Sequence, residues 1–520
     1  MQNNIVSFPD AVRTLMEQRE LNITLLTQLL SYKSKTTVSR ILQKKAGSRA
    51  ILSFYRDLKN SPVLALNEEE LSFLSKSLEY SVKGEDYCTT HEEMWKLLCG
   101  TAEAAEPVTV LSFSGVPESG VMSHDVPASG VSEVSDELDT AVDLSAFFAG
   151  LAGVRCDILM FNCVFPGVTD VLASSFPTFA PESTVTHYID TDTRTHRTLG
   201  CIRRLMPMLA LPQYEVFTVE SDNGTNVSRT SHFSVITVRV LQQQDSLPQN
   251  DGEITEYELL FLSSAEAVMT EGHGLYARWE RIAGHLQPRA YPLRRKTGSH
   301  DLIPMTETYL NLENGRNIWK LKPDLCLCYI REYILRAALE DGCRSRGVTR
   351  PPALVEHLYT IQKKRFDNIF GGTNATHLIV SPEAMRQFTV TGRQSDHYHL
   401  MRPYSVMERI EILSFCINQL KCNPYFHIYL IRPESEHILL SENPVELICF
   451  DDTCVQLTPA ITDYNLESGH SEIFIDDASF TAFTRSFFEE ELLKKYVFPQ
   501  EKTVAFFAQL ITQLSGSILS

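Results

Sequence analysis

In TTVSRILQKK, residues 36–45, short hydroxyls, an amide and basic side chains recur at a spacing that one helix face can present. At the helical repeat, Val38, Ile41 and Leu42 share one side. Thr36, Arg40, Gln43 and Lys44 fall opposite, within about one third of the circumference. Arg can bridge a guanine edge, Gln an adenine edge, and Lys a phosphate, so this face suits the major groove of a duplex. Lys35, Thr37 and Ser39 border it and complete the candidate set. Charge points the same way. Residues 1–60 hold ten Lys and Arg against four Asp and Glu, a balance of +6. The whole chain carries −18, so the other 460 residues carry −24. A basic segment on an acidic chain implies an anionic partner.

Helices must position these residues. FPDAVRTLMEQREL spaces Val12, Leu15 and Met16 at i, i+3, i+4. Asn22 is a natural N-cap for NITLLTQLLSY, and Ser34 caps KSKTTVSRILQKKAG, with Gly47 as its expected stop. Two more amphipathic helices follow in ILSFYRDLKN and NEEELSFLSKSLEYSVKG, the second opened by Asn67 with Glu68, Glu69 and Glu70. Spaced behind ITLLTQLL, the tetrapeptide Thr37–Val38–Ser39–Arg40 resembles the recognition helix of Cro/repressor-like and LacI-like helix-turn-helix regulators. The resemblance covers about 65 residues and implies double-stranded DNA as partner, bound by a symmetric dimer. The expected organisation is an all-α helix-turn-helix domain at 1–85, a connecting helix at 86–104, and an internally duplicated α/β body.

The body divides into halves at 105–290 and 291–520, with a Gly/Pro/Ser-rich loop at 115–139. CDILMFNCVF, STVTHYI, YEVFTVES, SHFSVITVRVLQ and YELLFLSS read as strands, TRTHRTLGCIRRLMPMLAL and AVMTEGHGLYARWERIAG as helices. The same order returns about 212 residues later. Phe176, His187, Arg197 and Pro212 align without gaps on Phe388, His399, Arg409 and Pro424. PQYEVFTV overlays PYFHIYLI, and with one more residue of offset LLFLSSA overlays EIFIDDA. Two such halves are expected to face each other across a pseudo-twofold axis, as in two-lobed regulators and the phospholipase D-like fold, which this body distantly resembles. That fold's site needs a His with a Lys two residues on, and none of the fifteen histidines has one, so the resemblance implies no active site of that kind.

A small anionic effector would be held by His187 and Arg197 in the first half and by Arg393, His399, Arg402 and Arg409 in the second. His397 and His399 alone do not make a metal site, and no metal or other cofactor is expected. The twelve cysteines include no CxxC; Cys326 and Cys328, in KPDLCLCYI, are expected on one face of a strand as reduced core thiols. No P-loop, GxGxxG after a strand, GxSxG or HExxH occurs. No apolar run reaches membrane-helix length, and residues 1–20 lack a signal-peptide pattern, so a cytoplasmic location is expected. The expectation is a one-component bacterial transcription regulator, DNA-binding at its N-terminus, with a ligand-sensing or oligomerising body. The alternatives are an α/β enzyme acting on a small phosphorylated or nucleotide-like molecule, or a protein-binding scaffold.

Overall fold

The computed structural model describes residues 6–100, 108–113, 140–191, 195–209, 211, 213–220, 234–241, 254–287, 290–292, 294–297, 302–345, 352–395, 401–440, 445–459 and 470–519. The chain is multidomain. It forms two compact units, residues 1–95 with 194–199, and residues 96–193 with 200–520.

The first unit is helical: α1 (Phe8–Gln18), α2 (Ile23–Leu29), α3 (Lys35–Leu42), α4 (Ser48–Lys59), α5 (Glu68–Lys83) and most of α6 (Glu85–Leu98). Amphipathic spacing puts Phe8, Val12, Leu15, Leu26, Val38, Ile41, Phe54, Leu58 and Leu74 into one core. Asn22 accepts from the Leu25 N–H at 2.9 Å and Ser34 from the Thr36 N–H at 3.1 Å. Asn67 and Glu70 form a reciprocal capping box.

Three successive helices end on a left-handed residue that is not glycine: Glu20, Ser31 and Lys44, with φ of 52°, 55° and 59°. In each, two backbone N–H groups turn back to the last helical carbonyls. After α2, Tyr32 donates to Thr27 O at 3.0 Å and Ser31 to Gln28 O at 3.0 Å. The expected stop at Gly47 is thus displaced. α3 ends at Leu42 because Lys44 takes the left-handed turn, and Gly47 is the N-cap of α4.

The second unit holds two mixed α/β sheets. The first half contains β1 (Thr109–Phe113), β2 (Thr140–Asp143), α7 (Leu144–Ala149), β3 (Arg155–Phe161), α8 (Pro166–Ser175), β4 (Thr184–Thr191), α9 (Thr195–Leu209), β5 (Tyr214–Glu220), β6 (Ser234–Leu241), β7 (Ile254–Phe261), β8 (Glu266–Glu271), α10 (Leu275–Leu286) and β9 (Ala290–Pro292). The second contains β10 (Arg294–Thr297), α11 (Leu302–Glu313), β11 (Ile318–Leu321), α12 (Glu332–Ser345), α13 (Pro352–Gly371), β12 (Thr376–Val380), α14 (Pro382–Thr391), α15 (Val406–Cys422), β13 (Phe426–Leu430), α16 (His437–Leu440), β14 (Val445–Phe450), β15 (Cys454–Pro459), β16 (His470–Ile475), α17 (Ala478–Ser486) and α18 (Gln500–Leu519).

The sheets run β2-β1-β8-β7-β6-β3-β4-β5-β9 and β10-β16-β15-β14-β11-β12-β13. Each contains the same six-strand order. Three parallel strands joined by helical crossovers (β3, β4, β5 and β11, β12, β13) carry a three-strand antiparallel meander on the far side of the first. Setting Tyr214 on Phe426 also sets Val216 on Ile428 and, across the sheet, Ile236 on Ile448, all at an offset of 212. Through the same registers Met160 falls on Lys320 and His187 on Leu378.

Several expected pairings therefore change. The one helix α8 between β3 and β4 is replaced by α12 and α13 between β11 and β12, so the gap-free match of His187 with His399 fails. Phe176 precedes β4 whereas Phe388 follows β12, inside α14. LLFLSSA belongs to β7 and EIFIDDA to β16, which take different places in the shared order. AVMTE, expected to be helical, is β8; Gly274, at φ 77°, separates it from α10. Pro424 sits between α15 and β13, while Pro212, His397, His399 and the loop 115–139 lie outside the described residues.

β9 extends the first sheet at its β5 edge, and β10 extends the second at its β16 edge, which are opposite ends of the shared order. Cys326 and Cys328, expected on a strand, lie instead on a tight turn after β11, with the Tyr329 N–H bonded to Cys326 O at 3.0 Å.

The left-handed Ser31 yields a prediction. A β-carbon in that conformation costs about 1 kcal/mol, which glycine avoids. Ser31→Gly should slow hydrogen exchange of the α2–α3 amides about fivefold, as expected for that gain in local stability. Unchanged or faster exchange would show that the turn carries no such strain.

Candidate nucleic-acid interface and the polar clusters of the body

The α2–α3 turn is pinned from α4. The Tyr32 hydroxyl donates to Asp57, and its ring stacks on Phe54 at 6.0 Å between centroids. Burial, reinforced by Asp57, holds that hydroxyl in its protonated form. α3 is thereby fixed with Val38, Ile41 and Leu42 buried and Lys35, Thr36, Thr37, Arg40, Gln43 and Lys44 exposed; Ser39 is half-buried.

The exposed residues are not equally free. Gln43 donates to Ser39 Oγ at 3.3 Å, and Thr36 accepts from Ser34 Oγ at 2.8 Å. Lys44 reaches Asp10 at 2.8 Å, and that hydrogen bond, with one from Ser7, draws the Asp10 carboxyl below its ordinary range. Lys44 therefore ties the end of α3 to the start of α1. Lys33, Lys35, Arg40, Lys45 and Arg49 are exposed and carry no ion pair among the described residues. Of these, Lys33 and Lys45 lie in the turns flanking α3 and Arg49 in the first turn of α4, outside the helical-wheel argument. Their signal was the local charge excess.

Of the six residues expected to hold an effector, His187, Arg402 and Arg409 are engaged within the fold. His187 is fully buried on β4. Its Nε2 accepts from the Cys163 N–H at 3.2 Å, and its Nδ1 meets the Tyr214 hydroxyl at 2.9 Å. Burial drives its pKa down to about 3, so it is a neutral core residue with both nitrogens engaged. Arg402 pairs with both carboxylate oxygens of Glu408, at 2.7 and 2.9 Å, and with Asp341 at 2.9 Å. Arg409 is buried and donates to the carbonyls of Thr389 and Val390 at the end of α14. These two arginines serve the α14–α15 junction instead of an anion clamp. Arg197 and Arg393 are exposed, and His399 lies outside the described residues.

The second half does gather charge, at residues the sequence reading passed over. Lys320 on β11, nearly inaccessible, reaches Glu313 of α11 at 3.0 Å. Arg365 of α13 grips the same carboxylate with two bonds, at 2.7 and 2.9 Å. Burial alone would raise the Glu313 pKa, but the two cations outweigh it and hold it at about 2. Along the same sheet face Lys322 pairs with Glu446 at 2.5 Å, and Tyr309 donates to Glu472 at 2.6 Å. Alternation in IWKLK would ordinarily place both lysines in water. Here α11 and α13 cover that face too.

One buried and one half-buried histidine make stability fall in acid. For His187 the folded pKa is about 3, and for His377 burial and the neighbouring His427 bring it to about 4, against an ordinary 6.5. Both folded values are depressed, so each contribution is full above pH 6.5 and is lost as pH falls toward 3 or 4. Each group should steepen the loss by up to about 1.4 kcal/mol per pH unit in that window. His187→Gln should remove one such increment from the slope between pH 6 and 4, read by urea unfolding. An unchanged slope would mean that His187 is accessible to protons in the folded chain.

No protein-family model and no curated protein matches this chain. Among solved structures, a polyphosphate kinase from Porphyromonas gingivalis is similar at 10% identity and a TM-score of 0.18. The match covers 71% of this chain and 53% of that one, so this chain spans about half the length of that kinase. At that TM-score the likeness bears on neither fold nor activity.

Proposed function

We propose that this chain is a DNA-binding transcription regulator that reads a duplex with α3, its α/β body sensing a ligand or joining copies. One observation carries the reading. α3 buries its apolar face, while Lys35 and Arg40 on its open face and Lys33 and Lys45 in its flanking turns carry no ion pair among the described residues. Its eight residues span about 12 Å, close to the width of the major groove. Arg40, Thr36 and Thr37 would face bases, with Gln43 beside them once released from Ser39. Lys33, Lys35, Lys45 and Arg49 would meet phosphates, and Lys44 would keep its place on Asp10. One such helix covers half a site, so a homodimer on a symmetric operator is the working form. The repeated six-strand order further supports an internally duplicated body.

Anisotropy of a labelled duplex as a function of salt tests this in the full chain. Lys35→Ala and Lys45→Ala should each reduce the slope of log affinity against log salt by about one unit. Arg40→Ala, on a selected binding sequence, should lose about 1–3 kcal/mol at one position and leave thermal stability unchanged. Lys44→Ala should instead lower stability of the first unit. If the combined Lys33, Lys35, Arg40, Lys45 and Arg49 alanine variant binds every duplex as the parent does, α3 is a solvated surface and the proposal fails.

A further inference from the structure

Of the phenylalanines among the described residues, Phe73 alone is exposed, at 37%. It lies on α5, which buries Leu74, Ser77 and Leu78 against the first unit's core. At the helical repeat Glu69, Phe73, Lys76 and Tyr80 fall within about 60° of one another, on the side turned away from that core. Their 4-3-4 spacing is that of a seam along which one helix packs on another. Glu69 and Lys76 are exposed and carry no ion pair among the described residues, and Tyr80 is half-buried.

Charge along α5 is polarised. Its first turn holds Glu68, Glu69 and Glu70, and its last turn holds Lys83. Arg19 engages Glu70 at 2.6 Å, while Glu68 and Glu69 carry no ion pair among the described residues. At the other end Lys83 donates to the Tyr87 hydroxyl at 3.1 Å and reaches Glu79 only at 3.9 Å. The Tyr80 hydroxyl donates to Glu85 at 3.2 Å. A second α5 laid parallel would set the acidic turn against its own kind. Laid antiparallel, it sets that turn against Lys83 and opposes the two helix dipoles favourably.

We infer that α5 is the contact between two copies of this chain, paired antiparallel about a twofold axis between Leu74 and Ser75. In that register Phe73 faces Lys76 of the second copy, ammonium against ring. Glu69 lies beside Tyr80 of the second copy and within reach of its Lys83. Symmetry makes each contact twice. A helix of sixteen residues is about 24 Å long, and one such pair buries less than the roughly 1,200 Å² of a standard interface. The dimer is therefore weak when free and is consolidated where both copies sit on one duplex. Its role, though not its existence, rests on the regulator reading: the pair joins the two DNA-binding units of the proposed homodimer.

Sedimentation velocity of the full chain without DNA, over rising concentration, tests the pairing. The parent should shift from monomer toward dimer. Phe73→Glu should dimerise within about threefold of the parent, because its carboxylate meets Lys76 of the second copy. Phe73→Lys should weaken dimerisation about tenfold or more, since two like-charge pairs replace two ring contacts. Adding Lys76→Glu to Phe73→Lys should restore it. Circular dichroism should show every variant as helical as the parent, since both positions face away from the core. A parent that stays monomeric at every concentration, or Phe73→Glu and Phe73→Lys variants that behave alike, would overturn the pairing. Failure of the regulator reading is distinguished by the salt dependence of duplex binding, which single copies also show.

Discussion

An ammonium group that cannot reach water organises the second half. Burying Lys320 costs several kcal/mol unless a counter-charge and hydrogen bonds meet it. Glu313 supplies them from the end of α11, but it satisfies the lysine only because Arg365 of α13 fixes both of its oxygens. Two helices are thus committed to the same face of β11. Tyr309, one turn before Glu313, then reaches Glu472 on β16, and Lys322 reaches Glu446 on β14. Breaking the network at Glu313 would leave two cations in the interior.

The first half shows that this network does not set the strand order. At the register position of Lys320 stands Met160, and the neighbour on the next strand is His187, neutral and hydrogen-bonded within the core. Both halves nonetheless run three parallel strands and an antiparallel meander in one order. What they share is apolar parallel strands covered on both faces and crossover connections long enough for helices, which restrict the available topologies. Charge in the second half fixes which helices lie where on a sheet whose order apolar pattern already determines.

This division explains what could be read in advance. Serial N-caps and helical spacing in the first unit carry their own local physics, so the starts of α1, α2, α3 and α5 and the buried set Val38, Ile41 and Leu42 were legible. The repeat was legible where connection lengths agree, as at Tyr214 with Phe426, and lost where two helices replace one. Site residues were least legible. An arginine that clamps a ligand and one that caps a helix, as Arg409 caps α14, have the same type and often the same neighbours; only the third dimension supplies the carbonyls. Lys320 was overlooked because alternation predicts water on one face of an antiparallel pair, and that inference fails when helices cover both faces.

Lys44 joins these themes at the proposed interface. Placing a long basic side chain in the left-handed conformation costs about 1–2 kcal/mol, and a glycine would relieve it. The ion pair with Asp10 is partly exposed, so it returns at most about 1 kcal/mol. Stability alone does not favour lysine there. The pair does something glycine cannot: with Arg13, which bonds both Asp10 and the Leu42 carbonyl, it joins the end of α3 to the first turn of α1. Tyr32 holds the other end of the helix through Asp57 and Phe54. A short helix anchored at both termini presents Arg40 and Thr36 at a fixed pitch, and a face meant to match the edges of bases requires that rigidity.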